Sequence, residues 1–252
     1  MTDMSAVILG AGLGSRLRPL TDDRPKCVVE LAGEPLAVRM LRQLHARGVR
    51  RATVVVGHMA DRARALIDAA APSGLALRYV ENSAYAATNT MYSTLLAADA
   101  LAGGGLLIEG DIAASDAVLD RLLAADPRRS HWAADPWTAA HSGCRLATDA
   151  SGRVTGQEIF RAHTPGPVPG LWKSAGMLRL SAAGAAALTG ALTVESEAGN
   201  RGVYYDDVIG AHLAQGGFDL QVLDLSGAPW VEIDDLNDMA EARRLFEGPH
   251  AA

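Results

Sequence analysis

The sequence predicts an α/β fold: a doubly wound, Rossmann-like, mostly parallel sheet with a β-rich insertion. Three observations predict it. An apolar run, Ala6-Val7-Ile8-Leu9, flows into the glycine-rich turn Gly10-Ala11-Gly12-Leu13-Gly14. Strand-like and helix-like segments then alternate through the first half of the chain, the pattern of parallel strands joined by helical crossovers. After Ser130 the pattern changes to shorter strand signals separated by turns.

In chain order, Ala6–Leu9 reads as a buried first strand. Pro35–Arg47 reads as a helix, because Leu36, Met40, Leu41 and Leu44 fall on one face and Gly48 ends it. Arg51–Val56 is a strand, Asp61–Ala70 a helix, Leu75–Val80 a strand and Thr90–Leu101 a helix. Gly105–Ile108 is a strand that ends at Glu109-Gly110-Asp111. His131–Ala134, Gly143–Thr148 and Arg153–Phe160 are shorter strands with turns at Ser142-Gly143 and Ser151-Gly152. A Pro/Gly-rich loop follows over Thr164–Gly170. Met177–Leu180 returns to strand, and Ser181–Leu188 and Tyr204–Gln215 read as helices. Phe218–Leu223 and Trp230–Ile233 are strands, and Asp235–Phe246 is a closing helix. The expected organisation is one domain over 1–247. Residues 1–129 form its first half, 130–180 the insertion and 181–247 the remainder, with 248–252 as a tail.

The 252 residues suffice for a large core, and 49% of them are apolar, so the chain is globular. A net charge of −6 and the lack of any basic tract argue against nucleic-acid binding. The longest apolar stretches are alanine-rich and interrupted by charges, which argues against membrane insertion. No secretory signal pattern opens the chain. The two cysteines, Cys27 and Cys144, are therefore expected as reduced thiols, and the expected location is cytoplasmic.

The chemistry begins at the glycine-rich turn. Glycines let backbone N–H groups close around an anion, and Arg16, Arg18 and Lys26 just downstream supply cations for phosphate oxygens. A polyphosphate ligand is indicated. No Gly-Lys-Ser/Thr tripeptide is present, which excludes a Walker loop. The third glycine comes one residue early for a dinucleotide fingerprint, and Pro25-Lys26 is foreign to it, so a nicotinamide-dependent oxidoreductase is disfavoured. Asp111 and Asp234 each end an apolar strand, where carboxylates can hold Mg²⁺ at the mouth of an α/β sheet. Asp235 reads as a helix cap. The seven histidines show no metal-ligand spacing, and no Ser/His/Asp arrangement stands out.

Gly12, Gly14, Arg16, Pro19, Thr21, Pro25 and Lys26 match G-x-G-x-R-x-x-P-x-T…P-K. On that pattern the chain resembles the sugar-phosphate nucleotidyltransferase superfamily over nearly its whole length. Asp111 resembles the family's first metal aspartate. Asp234, within Glu232-x-Asp234…Asp238-x-x-x-Ala242, resembles the second. Where hexose-phosphate members carry a Gln and a Gly, this chain has Thr88-Asn89-Thr90-x-Tyr92-Ser93. That run resembles the branch of choline-phosphate and aminoalkylphosphonate cytidylyltransferases.

The resemblance implies transfer of CMP from CTP to a small phosphorylated or phosphonate acceptor, with Mg²⁺ and release of pyrophosphate. It implies a nucleotide site of Leu9, Gly10, Ala11, Gly12, Gly14, Ser15, Arg16, Asn82, Thr88, Asn89 and Gly110. Asn82 is the expected base reader, since an amide both donates and accepts. Arg16 would hold the leaving pyrophosphate, Lys26 the transferring or acceptor phosphate, and Lys173 the acceptor. The insertion would cover the acceptor site. Trp172, Tyr204, Tyr205 and Asp206 would line it, with Asp206 standing where the family often has Glu. Trp132, Trp137 and Trp172 could join Asp206 in an aromatic and acidic cage for an ammonium group. A hexose-1-phosphate nucleotidylyltransferase using UTP, dTTP or GTP remains an alternative, as does a non-catalytic nucleotide-binding regulatory protein. A homodimer is left open.

Overall fold

The computed structural model describes residues 4–139, 141–160 and 168–247. Most of the predicted Pro/Gly-rich loop and the 248–252 tail lie outside the described residues. The first strand, β1 (Ser5–Gly10), is buried along its entire length. Short 3₁₀ turns at Ser15–Leu17 and Lys26–Val28 lead to a two-strand ribbon, β2 (Glu30–Leu31) and β3 (Glu34–Pro35), and then to helix α1 (Leu36–Ala46). The alternation continues with β4 (Arg51–Val56), α2 (Ala60–Asp68), β5 (Ala76–Glu81), α3 (Thr90–Leu96) and β6 (Gly105–Glu109). The helix predicted to reach Leu101 ends at Leu96 and is followed by a 3₁₀ turn over Ala98–Leu101.

Ile112–Ala124 holds two elements that the periodicity does not announce, β7 (Ile112–Ala114) and α4 (Asp116–Ala124). A three-residue strand is too short to show alternation, and α4 buries only Val118, Leu119 and Leu122. Next come β8 (Ser130–Pro136), β9 (Gly143–Thr148), β10 (Val154–Phe160) and β11 (Leu171–Leu180). Then follow α5 (Ala182–Glu197), α6 (Tyr205–Ala214), β12 (Leu220–Asp224), β13 (Trp230–Glu232) and α7 (Leu236–Phe246). Two predicted elements are longer than expected: β11 begins six residues before Met177, and α5 runs on from Leu188 to Glu197.

Strands β5, β4, β1 and β6 are neighbours and parallel. Strand β11 joins β6 antiparallel through Met177–Leu180 and continues past it to pair with β9 through Leu171–Lys173. Its other edge carries β8, which pairs in parallel with β12. The strands of the predicted insertion are therefore continuous with the central sheet. The sheet is buried on both faces by alternation. Ala6, Ile8, Val54, Val56, Leu106 and Ile108 pack under α1, α2 and α4. Val7, Leu9, Val55 and Leu107 pack under α3, α5 and α6. Two-sided burial explains why these strands read as unbroken apolar runs.

A third cluster fixes the rim. Leu17, Val29, Leu31, Leu36, Ala113, Ile233, Met239 and Ala242 pack together. They tie the segment after β1 to the antiparallel ribbon β7–β13 and to α7. The residues that follow β1 and β13 are thereby held against the residue that follows β6.

Candidate active site

Strand β1 ends at Gly10, and its chain turns over the C-terminal end of the sheet, the usual place for ligands in such folds. Gly14 takes φ +66°, and a β-carbon there would stand 2.8 Å from the Cβ of Lys26. Glycine is required by both conformation and space, and its carbonyl accepts from the Thr21 hydroxyl at 2.9 Å. This contact brings Lys26 under the loop. The Lys26 ammonium donates to Asp111, at the end of β6, and to Asp234, after β13, at 2.7 Å to the latter. Arg16 pairs with the other oxygen of Asp234 at 3.0 Å. Burial opposes the charge on Lys26, but the two carboxylates outweigh it and hold its pKa above the ordinary lysine range. Burial likewise opposes the Asp234 carboxylate, yet Lys26 and Arg16 keep its pKa below the ordinary range.

Two cavities meet at this cluster. The first, of about 370 Å³, has every nucleotide-side residue proposed from the sequence on its wall, together with Lys26, Tyr85 and Ser93. Asn89 caps α3, its Oδ1 accepting from Thr90 N at 2.8 Å. Asn82 is 1% exposed. Its amide donates to Thr88 Oγ1 and Ser93 Oγ, both at 3.0 Å, and its Oδ1 accepts from Ala84 N. Both N–H groups are thus engaged within the wall, and only Oδ1 retains capacity for a ligand.

The second cavity, of about 500 Å³, shares Arg16, Thr90, Glu109, Asp111, Tyr204 and Asp234 with the first. Lys173, Asp206, Glu232, Cys144 and Phe160 also line it. Lys173 lies on β11 and donates to Glu232 at 2.7 Å. Of the expected acceptor residues, Lys173, Tyr204 and Asp206 reach this cavity. Tyr205 is fully buried behind it, its hydroxyl donating to Glu109 Oε1 at 2.8 Å.

The tryptophans do not form a cage around Asp206. Trp132 and Trp137 are fully buried, and the Trp132 indole donates to Ser174 at 2.8 Å. Trp172 is turned to Thr148, to which its indole donates at 3.1 Å. Trp132 points from β8 into the core, and Trp137, just past the end of β8, packs edge-on against His141 and Phe160.

Glu109 and Glu232 are not among the site residues expected from the sequence, although Glu232 belongs to the pattern around Asp234. Burial first, then the charges of Asp206, Asp111 and Glu232, push the Glu109 pKa well above the carboxylate range. Burial likewise raises Glu232, partly offset by Lys173. Burial raises Asp206 to about 7, partly offset by the neighbouring Cys144 thiol. The available signal was position: Glu109 sits two residues before Asp111, and Glu232 two before Asp234.

Among the described residues no group of three or more His, Cys, Asp or Glu side chains is arranged to hold a metal ion by itself. Asp111 Oδ1 is nevertheless buried without a hydrogen-bond partner. An orphaned carboxylate oxygen beside a second carboxylate fits Mg²⁺, which takes one or two carboxylates and draws its remaining ligands from substrate phosphates and water.

The glycine-rich loop, the parallel sheet and the paired aspartates define a nucleotide-binding α/β protein of the nucleotidyltransferase type. The chain belongs to the MobA-like NTP transferase domain family, whose pattern matches residues 6–199. It is 34% identical over 247 residues to the CMP-5'-(3-aminopropyl)phosphonate synthase of Streptomyces rubellomurinus, covering 97% of this chain and 39% of that one. The chain thus spans well under half of that relative's length. It is 27% identical to the 2-aminoethylphosphonate cytidylyltransferase of Lancefieldella rimae, over 94% of this chain and 90% of that one. Among solved structures, the CTP:phosphocholine cytidylyltransferase of Streptococcus pneumoniae superposes with a TM-score of 0.77. That match has 22% identity and covers 96% of this chain and 99% of that one. Among the described residues no helix is long and apolar enough to cross a membrane.

Proposed function

We infer that this protein is a CTP-dependent cytidylyltransferase acting on a small phosphonate or phosphate acceptor. The observation that carries the reading is the convergence of Arg16, Lys26, Asp111 and Asp234 where two cavities join. The activities for which the two relatives above are named, a CMP-aminopropylphosphonate synthase and an aminoethylphosphonate cytidylyltransferase, support the choice of nucleotide and acceptor class. An acceptor oxygen attacks the α-phosphorus of CTP. A P–O bond forms, the α–β anhydride bond breaks, and pyrophosphate leaves with the bonding pair. The acceptor is already an anion, so no base is required; positioning and charge neutralisation supply the catalysis.

Each residue has a task in this reading. The loop from Gly10 to Gly14 cradles the phosphates, and Arg16 draws the pyrophosphate away from the α-phosphorus. Lys26 neutralises charge at the transferring phosphoryl group, and Lys173 orients the acceptor. Asp111 and Asp234 would hold Mg²⁺, which screens the repulsion between the two reacting anions. The Oδ1 of Asn82 offers the acceptor that the exocyclic amine of cytosine needs.

The test is pyrophosphate release with Mg²⁺, crossing CTP, UTP, dTTP, GTP and ATP with 2-aminoethylphosphonate, 2-hydroxyethylphosphonate, choline phosphate and glucose-1-phosphate. Turnover should be confined to CTP with the small acceptors. Turnover with glucose-1-phosphate, or preference for another nucleotide, would refute the reading. Asp111→Ala should lose far more turnover than CTP affinity, and a fully active variant would sink its assignment.

A further inference from the structure

Resting on the reading above, we propose that Thr90 is a positioning residue for the transfer: its hydroxyl holds the acceptor wall at residues 204–206 in register with the nucleotide wall at residues 82–93. Thr90 opens α3 and lies on the walls of both cavities. Of the stretch 82–93 it alone lines both. On the nucleotide side its neighbour Asn89 stands in the first cavity's wall, and Asn89 Oδ1 accepts from the Thr90 N–H at 2.8 Å. On the acceptor side Tyr204 and Asp206 line the second cavity, flanking the fully buried Tyr205.

The tie between the two walls is a helix cap supplied from a distant part of the chain. The first N–H groups of a helix have no partner within it. At the start of α6 the N-cap residue, Tyr204, makes no side-chain cap, and burial keeps water from the Tyr205 N–H. That N–H donates instead to Thr90 Oγ1, at 3.2 Å and across 115 residues of sequence. A reciprocal bond runs the other way: the Asn89 N–H donates to the carbonyl of Arg201, in the connector that leads to α6, at 2.9 Å. The Arg201 guanidinium lies over the Tyr92 ring, 4.8 Å from its centroid, and its Nε donates to Ser196 Oγ at 3.0 Å. The start of α3 and the approach to α6 thus hold one another at three points, and the Thr90 hydroxyl is the one that takes the residue between Tyr204 and Asp206.

Removing that hydroxyl should separate the two substrates. A valine fills the volume of threonine but leaves the Tyr205 N–H unpaired inside the protein, which costs more than the hydrogen bond itself contributes. The start of α6 relieves that cost by moving toward water, and it carries Tyr204 and Asp206 away from their places on the wall. An acceptor must then restore them as it binds, and small misplacements of such groups are expensive. The nucleotide wall does not depend on the hydroxyl. Asn82 is fixed by Thr88 and Ser93, and Asn89 is engaged by the Thr90 backbone, which valine keeps.

The experiment compares Thr90→Val and Thr90→Ser with the parent, using CTP, Mg²⁺ and 2-aminoethylphosphonate. Steady-state kinetics give KM and kcat for the acceptor, and calorimetry gives the dissociation constant of CTP. Thr90→Val should raise the acceptor KM about ten-fold, the usual cost of one buried N–H left without a partner, with CTP affinity unchanged. Thr90→Ser, which keeps the hydroxyl, should restore the KM, a rescue that a role in packing alone would not produce. Arg201→Met, which keeps the stem of an exposed side chain but not its hold on Tyr92 and Ser196, should raise the KM more weakly and serves if the valine variant does not fold. A valine variant with the parent's KM, an equal loss of CTP and acceptor affinity, or a serine variant no better than the valine one would overturn the proposal while leaving the cytidylyltransferase reading intact. Absence of CTP turnover by the parent with all of the acceptors named above would overturn both.

Discussion

Lys26 and Asp206 carry opposite electrostatic situations within one site. Lys26 sits between two carboxylates and stays charged, so it occupies the place of a small cation. Lys26→Met should lower turnover on the order of 100-fold, the usual loss when one preorganised charge-stabilising group is removed. The same change frees Asp111 and Asp234 from their ammonium, so divalent cations should bind the variant more tightly. Calorimetric titration of Mg²⁺ checks this, and weaker binding would contradict it. Asp206 is instead uncomfortable when ionised. Burial outweighs the Cys144 thiol, Glu232 and Asp207 add negative charge nearby, and the folded pKa is about 7 against 3.8 for the free group. Between those values the folded protein keeps a proton that the unfolded chain has lost. Stability from this group therefore falls as pH rises through that window, and the full cost is present above about 7. Asp206→Asn removes the cost. Its melting temperature should exceed that of the parent by several degrees near pH 8, and the gap should shrink toward about pH 4. A gap independent of pH would refute the assignment.

At the scale of elements, β11 connects the two halves of the site. It changes neighbours along its length, from β9 to β6, and its register against β8 shifts between Ser174 and Leu178. Gly176 makes the bulge at φ +63°, and a β-carbon there would meet Glu109 Oε2 and Ile112 Cδ1 at 3.1 Å. Gly176→Ala should cost about 1–3 kcal/mol, the range for a side chain forced into the left-handed region. It should also raise the KM for the acceptor, because Lys173 and Glu109 lie on either side of the bulge. Denaturant unfolding and acceptor titration read the two effects separately. Helix α7 gives a second local device: Asp235 accepts from Asn237 N and Asp238 N, and Asp238 accepts from the backbone N–H of Asp234 and of Asp235 at 2.9 Å. The cap thus fixes the backbone of the site residue beside it. The sequence announced this cap, and it announced β1, β4 and β6, whose apolar runs follow from burial on both faces. It did not announce the bulge, β7 or the change of partner along β11. Those depend on contacts between distant segments and leave no periodic trace.

The whole molecule places its two cavities against one another, with Arg16, Asp111 and Asp234 common to both walls. The phosphate side of this arrangement could be read from the chain because glycines, cations and strand-end aspartates sit in short, local patterns. The acceptor side could not. Tyr205 is adjacent to Asp206 yet points into the core, and the tryptophans are engaged elsewhere, Trp132 with Ser174, Trp172 with Thr148 and Trp137 with Phe160, through partners distant in the sequence. The shared wall has an energetic consequence. An acceptor entering alone brings its anionic end to Asp111 and Asp234, already only balanced by Lys26 and Arg16. The divalent cation that accompanies bound nucleotide would place positive charge between those carboxylates and the acceptor and offset the charge of the triphosphate itself, lowering that repulsion. Acceptor affinity should therefore rise about ten-fold or more when Mg²⁺ and a non-hydrolysable CTP analogue are present together, and by linkage the acceptor should tighten the analogue by the same factor. Asp234→Asn, which weakens the hold on the metal, should reduce both factors equally. Titration calorimetry in both orders measures them. Affinity for the acceptor that is independent of metal and nucleotide would mean that the two cavities, though contiguous, are filled without reference to one another.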